Sequence, residues 1–214
     1  PFRNCRKRDR KLRVGYVSPD FRAHSVSYFV EPVIRHHDRD KFEVFCYSNL
    51  IQPDQVTERI RAQADVWRDI HLKTARQVCE QIREDEIDIL VDLAGHTGRN
   101  RLMVFAHKPA PIQVTYVGYP NTTGLAAMDY RITDAYADPP GLTEQYHTET
   151  LVRLPHSFLV YAPSADSPEV AALPALRKGH ITFGSFNNAA KVIPNVIALW
   201  SKILHAVPGS RLML

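Results

Sequence analysis

Two side chains in this sequence are candidates for proton transfer and for anion neutralisation, His24 and Lys191. His24 follows the first β-forming run and precedes an amphipathic helix pattern, so it sits in a strand-to-helix turn. A histidine there acts as general base or orients a hydroxyl, and the same residue type also serves purely local structure. Lys191 follows a second such strand pattern and the polar residues Ser185, Asn187 and Asn188, and precedes a helical run. An ammonium in that position neutralises a phosphate at a helix N-terminus, whereas most lysines simply face solvent. Residues 89–101 carry the third feature, a short apolar run that ends in Gly95-His96-Thr97-Gly98-Arg99-Asn100. This pattern suits a buried parallel strand that delivers His96, Thr97, Gly98 and Asn100 to a pocket at its carboxyl end. The alternative is an ordinary turn in which Gly95 and Gly98 serve geometry alone.

Other chemistries are excluded or disfavoured. No G-x-G-x-x-G follows the first strand, which argues against a nicotinamide cofactor, and no G-x-x-x-x-G-K-[ST] phosphate loop occurs. Asp38-Arg39-Asp40 has the form of a metal–diphosphate tripeptide, but it lies in the charged run 36–41 between a helix and a strand and reads as a solvated loop. Metal-independent chemistry without a cofactor is the expectation. A diphosphate leaving group then needs cationic or backbone N–H stabilisation.

The elements that position these residues alternate. Strands are expected at 12–18, 42–48, around 66–67, at 87–93, 112–117, 130–133 and 151–155. Helices are expected from Ser25 or Ser27 through Ile34, with Asp20 free to cap and Pro32 near the first turn, and at 54–64, 74–84 and 101–107. This order predicts an α/β fold with a Rossmann-like, doubly wound parallel sheet, its polar turns on one edge. The turns at Gly95, Gly118 and Asp134 are expected to face one crevice. The domain reading is a basic linker at 1–11, a first lobe at 12–163 and a second linker at 164–180. A second α/β lobe starts at 181–214, with a strand at 181–186 and a helix at 194–205 whose Ile197, Leu199, Trp200, Ile203 and Leu204 mostly face inward.

The bulk numbers fit this picture. Among 214 residues, 44% are hydrophobic and 23% charged, ordinary for a globular protein. No apolar run approaches the roughly 18–20 residues of a membrane span. Cys5, Cys46 and Cys79 make neither a metal pattern nor a disulfide framework and suit a reducing, cytoplasmic setting. The net charge of +4 owes much to the arm that holds Arg3, Arg6, Lys7, Arg8, Arg10, Lys11 and Arg13. That arm lacks the interleaved aromatics of a single-strand platform and reads as a linker rather than a nucleic-acid site. The open ends of the pattern suggest a piece of a longer protein.

Several ordered motifs resemble one family. They are Gly15-Tyr16-Val17-Ser18-Pro19-Asp20-Phe21 with His24-Ser25-Val26-Ser27-Tyr28-Phe29, then Gly95-His96-Thr97 and Pro109-Ala110-Pro111-Ile112-Gln113-Val114. Gly118-Tyr119-Pro120-Asn121-Thr122-Thr123-Gly124, Asp129-Tyr130-Arg131-Ile132-Thr133-Asp134 and Phe183-Gly184-Ser185-Phe186-Asn187-Asn188 complete the set. From about Leu12 onward the chain resembles the protein O-glycosyltransferases of the O-GlcNAc transferase and SPINDLY group, with details closer to the SPINDLY branch. The resemblance implies a GT-B fold, two Rossmann-like lobes, of which this chain holds the N-terminal lobe and the first strand-helix unit of the second. It implies inverting, metal-independent transfer of one sugar, GlcNAc from UDP-GlcNAc or fucose from GDP-fucose, to serine or threonine of intracellular proteins. It implies tetratricopeptide repeats upstream.

By the same resemblance His24 falls on the family's active-site histidine, as base or positioning group, and Lys191 on the lysine that neutralises the donor diphosphate. Gly118, Tyr119 and Pro120 fall beside the donor sugar, and His96, Thr97 and Thr122 join the nucleotide-sugar set. Asn188 replaces a glutamine of the O-GlcNAc transferases, which leaves the donor open. Because the second lobe stops at Leu214, the chain alone is expected to be inactive. The competing classes are a catalytically silent binding module of the same fold, a nucleic-acid-binding domain that uses the basic arm, and a small-molecule or peptide N-linked transferase.

Overall fold

A computed structural model describes residues 2–5, 7, 9–163 and 167–214. Arg6 and Arg8 of the basic arm, and Ser164, Ala165 and Asp166 of the expected second linker, lie outside the described residues. The chain forms two compact units, Pro1–Ala162 and Pro163–Leu214.

The first unit is built on seven parallel strands: β1 (Leu12–Ser18), β2 (Phe42–Ser48), β3 (Val66–Asp69), β4 (Ile89–Asp92), β5 (Ile112–Thr115), β6 (Tyr130–Asp134) and β7 (Thr150–Leu154). Their order across the sheet is β3-β2-β1-β4-β5-β6-β7. The connecting helices are α1 (Ser25–Arg35), α2 (Gln55–Arg61), α3 (Ala75–Glu84) and α4 (Leu102–Ala106). Side-chain alternation along each strand divides the core in two. Val14, Tyr16, Val44, Cys46 and Val91 pack under Val26, Val30 and Ile34 of α1 and Ile60 of α2. Val17, Phe45, Tyr47 and Leu90 pack under Val78, Cys79 and Ile82 of α3 and Val104 and Phe105 of α4. Both faces of the central strands are therefore dry, which is why they read as continuous apolar runs. The sheet is the expected doubly wound parallel one.

Several expectations are corrected. The N-cap of α1 is His24, not Asp20. Pro32 lies inside α1 rather than in its first turn, because the helix already begins at Ser25. Pro32 is itself buried, and because it has no N–H the carbonyl of Tyr28, an exposed residue, lacks its usual helical donor. β4 is confined to Ile89–Asp92, and β5 stops at Thr115, short of its apolar run, with Val117 departing to a positive φ of 57° just past it. The arm before β1 is not simply solvated. Asn4 donates to Asp88 at 2.9 Å, and the Arg10 guanidinium pairs with the same carboxylate at 2.6 Å. Burial works to raise the Asp88 carboxyl, but Arg10, the Arg13 N–H and Asn4 outweigh it and hold it below the ordinary carboxylate range.

The second unit contains α5 (Pro174–Lys178), β8 (Thr182–Gly184), α6 (Pro194–Ala206) and β9 (Arg211–Met213), with β8 and β9 paired in parallel. α5 falls inside the expected linker and ends on Gly179 in the left-handed region. In α6, Trp200, Ile203 and Leu204 face Phe183 and Leu212 as expected. Ile197 and Leu199 do not, being more than half exposed. A two-stranded sheet is too narrow to cover the whole apolar face of this helix.

Gly15 shows how tightly the centre of the sheet is filled. A Cβ there would stand 2.9 Å from the Tyr47 ring, 3.1 Å from Leu90 and 3.2 Å from Ile87. Gly15→Val is expected to lower stability by about 1–3 kcal/mol through overpacking. Urea denaturation followed by circular dichroism measures it, and an unchanged midpoint would contradict this packing.

Candidate functional site

β1 pairs with β2 on one side and β4 on the other. The chain leaves β1 toward α1 on one face of the sheet and leaves β4 toward α4 on the opposite face. The two departing segments diverge, and a crevice opens at the strand carboxyl ends between them. A cleft of about 750 Å³ lies there, with Asp20, His24, Asp54, Thr97, Arg99 and Gly118 in its lining. His24, Thr97 and Gly118, far apart in sequence, are thus brought together. Gly98 lines the same cleft.

The segment that carries His24 is held from several directions. Ser27 Oγ donates to the Asp20 carbonyl at 2.7 Å and to the Arg22 carbonyl. The Ala23 N–H donates to Asp54 at 2.7 Å, and Asp54 also caps α2 through the Thr57 N–H. These bonds, the Ala23 one first, hold the Asp54 carboxyl below its usual range. His24 itself caps α1, its Nδ1 accepting the Val26 N–H at 3.3 Å. With Nδ1 so used, the neutral ring carries its proton on Nε2.

The turn after β4 is organised by the fully buried Asp92. Its carboxylate accepts the Gly95 N–H at 2.8 Å, the Ala94 N–H at 3.2 Å and the Thr115 hydroxyl at 3.1 Å. Burial nevertheless dominates and raises the Asp92 carboxyl above its ordinary value. Gly95 has a φ of 52°, and a Cβ on it would meet the Cβ of Tyr119 at 2.2 Å. Glycine is therefore required on both counts. His96 donates from Nε2 to the Thr123 carbonyl at 2.9 Å and meets the Tyr119 ring edge-on, with centroids 5.3 Å apart. Its Nδ1 is left as an acceptor. Arg99 has a φ of 59°, and its carbonyl is pinned by Asn49 at 2.8 Å. Asn100 donates to the Thr97 carbonyl at 2.8 Å and so works inside the turn.

The loop after β5 approaches this turn closely. Val117 is β-branched with a positive φ, a strained conformation, and the Gly118 N–H bonds to the Tyr116 carbonyl at 2.8 Å across it. A Cβ on Gly118 would fall 1.8 Å from the Leu93 carbonyl oxygen, so only glycine fits. Two buried charges then hold the loop. Arg131 donates to the carbonyls of Tyr119 at 3.0 Å and Asn121 at 3.3 Å, and faces Asp138 at 3.6 Å. Glu149 accepts from the Thr122 hydroxyl and the Thr123 N–H, both at 2.7 Å, and from the Thr123 hydroxyl. Sequence reasoning gave Arg131 no role and missed Glu149 altogether. Asp134, expected at the crevice, instead accepts the N–H groups of Tyr136, Ala137 and Phe158. It closes its own turn and does not belong to the cleft lining. Asp38 accepts the Asp40 N–H and pairs with Lys41 at 2.8 Å.

The second unit brings Asn188 and Lys191 together in one 3-10 turn, Ala189–Lys191. The Asn188 side chain caps it by accepting the Ala190 N–H at 2.9 Å. Lys191 is exposed and stands just before Ile193, the N-cap of α6, which has no side-chain cap bond. The Lys191 ammonium thus stands near the N-terminus of α6, where the helix dipole favours an anion.

The chain is similar to proteins already described. The model for glycosyl transferase family 41 matches residues 2–165. A Solanum lycopersicum protein named as a probable UDP-N-acetylglucosamine–peptide N-acetylglucosaminyltransferase SPINDLY is 51% identical over 98% of this chain and 23% of its own length. A protein of Arabidopsis thaliana named as probable N-acetylglucosaminyltransferase SEC of the same activity is 35% identical over 96% of this chain and 22% of its own. Among solved structures, a lysine-to-methionine mutant of the Thermobaculum terrenum O-GlcNAc transferase matches with a TM-score of 0.89 and 47% identity. That match covers 96% of this chain and 39% of that one. The chain spans about a quarter of the length of the curated relatives it matches.

Glu149 gives this site a pH signature. Burial tends to raise its carboxyl, but the Thr123 and Thr122 bonds prevail and lower it below the ordinary 4.5. A depressed acid stabilises the fold fully above its ordinary value and ceases to do so as pH falls through the lowered one. The wild type is therefore expected to lose stability against Glu149→Gln on acidification below about pH 4.5, where only the carboxylate titrates. At neutral pH, Glu149→Ala should cost about 1–3 kcal/mol, because it strands the buried Thr123 donors. Thermal melts between pH 3 and pH 7, on the order of the carboxylate range, measure both, and parallel curves for wild type and Glu149→Gln would contradict the clamp.

Proposed function

The chain belongs to glycosyl transferase family 41, and we propose that its first unit is the acceptor-side lobe of a protein O-glycosyltransferase. The observation that carries this reading is the cleft at the β1/β4 switch point, where His24, Thr97 and Gly118 meet. Its size suits a sugar and an extended peptide side chain. The donor is a nucleoside diphosphate sugar, UDP-GlcNAc or GDP-fucose, and the acceptor is a serine or threonine hydroxyl of a protein. The names of the relatives, which specify UDP-N-acetylglucosamine and peptide, support both substrate classes.

The reaction is an inverting displacement. The acceptor oxygen forms a bond to the anomeric carbon, the bond from that carbon to the diphosphate oxygen breaks, and its electron pair departs with the diphosphate. His24 faces the acceptor hydroxyl from the end of α1. His96, Thr97, Gly118, Tyr119, Pro120 and Thr122 contact the donor sugar. The T-shaped His96–Tyr119 pair and the Glu149 clamp support this assignment, because they fix the loop before any substrate arrives. Lys191, Asn188 and the N-terminus of α6 bind the diphosphate and take up the leaving-group charge. No metal is needed for that role, and the Asp38 carboxylate is already committed to Lys41.

The basic arm is structural in this reading, since Arg10 is engaged by Asp88 rather than held out for nucleic acid. Cys5, Cys46 and Cys79 are free thiols, which suits a cytoplasmic enzyme. The resemblance further supports tetratricopeptide repeats upstream. No helix among the described residues is long and apolar enough to cross a membrane.

The test uses the full-length protein with UDP-GlcNAc and GDP-fucose in parallel and a lysate as acceptor. Mass spectrometry is expected to find one sugar added per modified serine or threonine, with one donor only. Lys191→Ala should lower transfer by about 100-fold or more, the usual loss when a transition-state charge loses its stabiliser. Binding of neither donor by the full-length protein would overturn the enzyme reading and leave a binding module.

A further inference from the structure

The carboxylate of Asp20 has no evident use in folding. Asp20 is only 8% exposed, yet its nearest polar side-chain contacts are Arg22 at 3.5 Å and His24 Nδ1 at 3.8 Å. Both exceed a normal hydrogen bond. Its backbone is held independently, by Ser18 Oγ at 2.9 Å on the N–H and by Ser27 Oγ at 2.7 Å on the carbonyl. A largely buried carboxylate with unfilled acceptor capacity at the wall of a cleft calls for an explanation.

His24 supplies one. As the structure stands, Nδ1 accepts the Val26 N–H, so the neutral ring, which lines the cleft, carries its proton on Nε2. That tautomer donates a hydrogen bond but cannot take a proton from an acceptor hydroxyl. A base at Nε2 needs its proton moved to Nδ1, and Nδ1–H cannot face the Val26 N–H, because both are donors. Asp20 Oδ2 is the carboxylate in reach. A ring shift of about 1 Å closes 3.8 Å to hydrogen-bond distance.

We propose that Asp20 is the positioning residue that converts His24 from a helix cap into a general base, a reading that rests on the transferase function proposed above. In the working state Asp20 accepts Nδ1–H and Nε2 offers its lone pair to the acceptor hydroxyl. As the oxygen bonds the anomeric carbon, its O–H bond breaks and the proton passes to Nε2, while the C–O bonding pair leaves with the diphosphate. Asp20 then faces the imidazolium and stabilises it. Return of the ring to the Val26 N–H restores the cap. The other charged groups around this cleft are Arg22, Asp54 and Arg99. Asp54 is committed to Ala23 and Thr57, and the two arginines cannot accept a proton from Nδ1.

The experiment follows kcat and donor KM against pH in the full-length protein, for wild type, Asp20→Asn and Asp20→Glu. Asp20→Asn is expected to lower kcat by about tenfold or more with little change in donor KM. It should also move the acid limb of the kcat profile to lower pH, because an imidazolium without its carboxylate loses its proton sooner. Asp20→Glu keeps the charge and should hold the acid limb near that of wild type. Active wild type with an unchanged Asp20→Asn profile would overturn this role for Asp20 while leaving the transferase intact. So would equal losses in the Asn and Glu variants, which would make the effect one of shape rather than charge. Wild type that transfers no sugar with either donor overturns the transferase reading and the role of Asp20 with it.

Discussion

The divergence of the chain at the ends of β1 and β4 is the constraint on which the rest of this structure depends. Two neighbouring parallel strands send their following helices to opposite faces of one sheet. No backbone can then fill the space above the gap between them. The cleft follows from the handedness of βαβ crossovers rather than from any residue in it. Specific residues enter only in how the surrounding turns are fixed. Asp92 shapes the turn after β4, Asp54 and Ser27 the turn after β1, and Arg131 and Glu149 the loop after β5.

Those devices share a physical logic. Each buries a charge or a polar group and spends its bonding capacity on backbone N–H or C=O groups of a cleft-lining segment. Loop backbone near a cleft has no ladder to satisfy it, so side chains must do so. The same arrangement tolerates strain. Val117 and Arg99 keep positive φ values because the bonds beside them leave little alternative. Glycine is reserved for the points of closest approach, Gly95 against Tyr119 and Gly118 against the Leu93 carbonyl.

The strands, the doubly wound order and the cleft-edge positions of His24, Thr97 and Gly118 could be read from sequence, since apolar periodicity and glycine turns record them directly. The clamps could not. Glu149 stands in Thr148-Glu149-Thr150, which reads as an exposed strand entry, and its burial comes only from the return of the 118–124 loop. Arg131 lies on a strand where a charge suggests a solvent face, yet it is 3% exposed because three partners from outside the strand converge on it. Asp134 looked like a ligand group for the opposite reason. An aspartate at a strand end serves its own turn as readily as a crevice, and here Tyr136, Ala137 and Phe158 claim it. The inward face assigned to α6 failed at Ile197 and Leu199 because periodicity gives the direction of an apolar stripe but not the width of what covers it.

The central claim is that the cleft at the β1/β4 switch is where an acceptor hydroxyl meets a nucleoside diphosphate sugar. A crystal structure of the full-length protein with an acceptor peptide and an unreactive donor analogue tests it most directly. The expected result is an acceptor hydroxyl within hydrogen-bond reach of His24 and a sugar against Gly118, Tyr119 and Pro120. A ternary complex with both ligands bound elsewhere and this cleft filled only by solvent would contradict it.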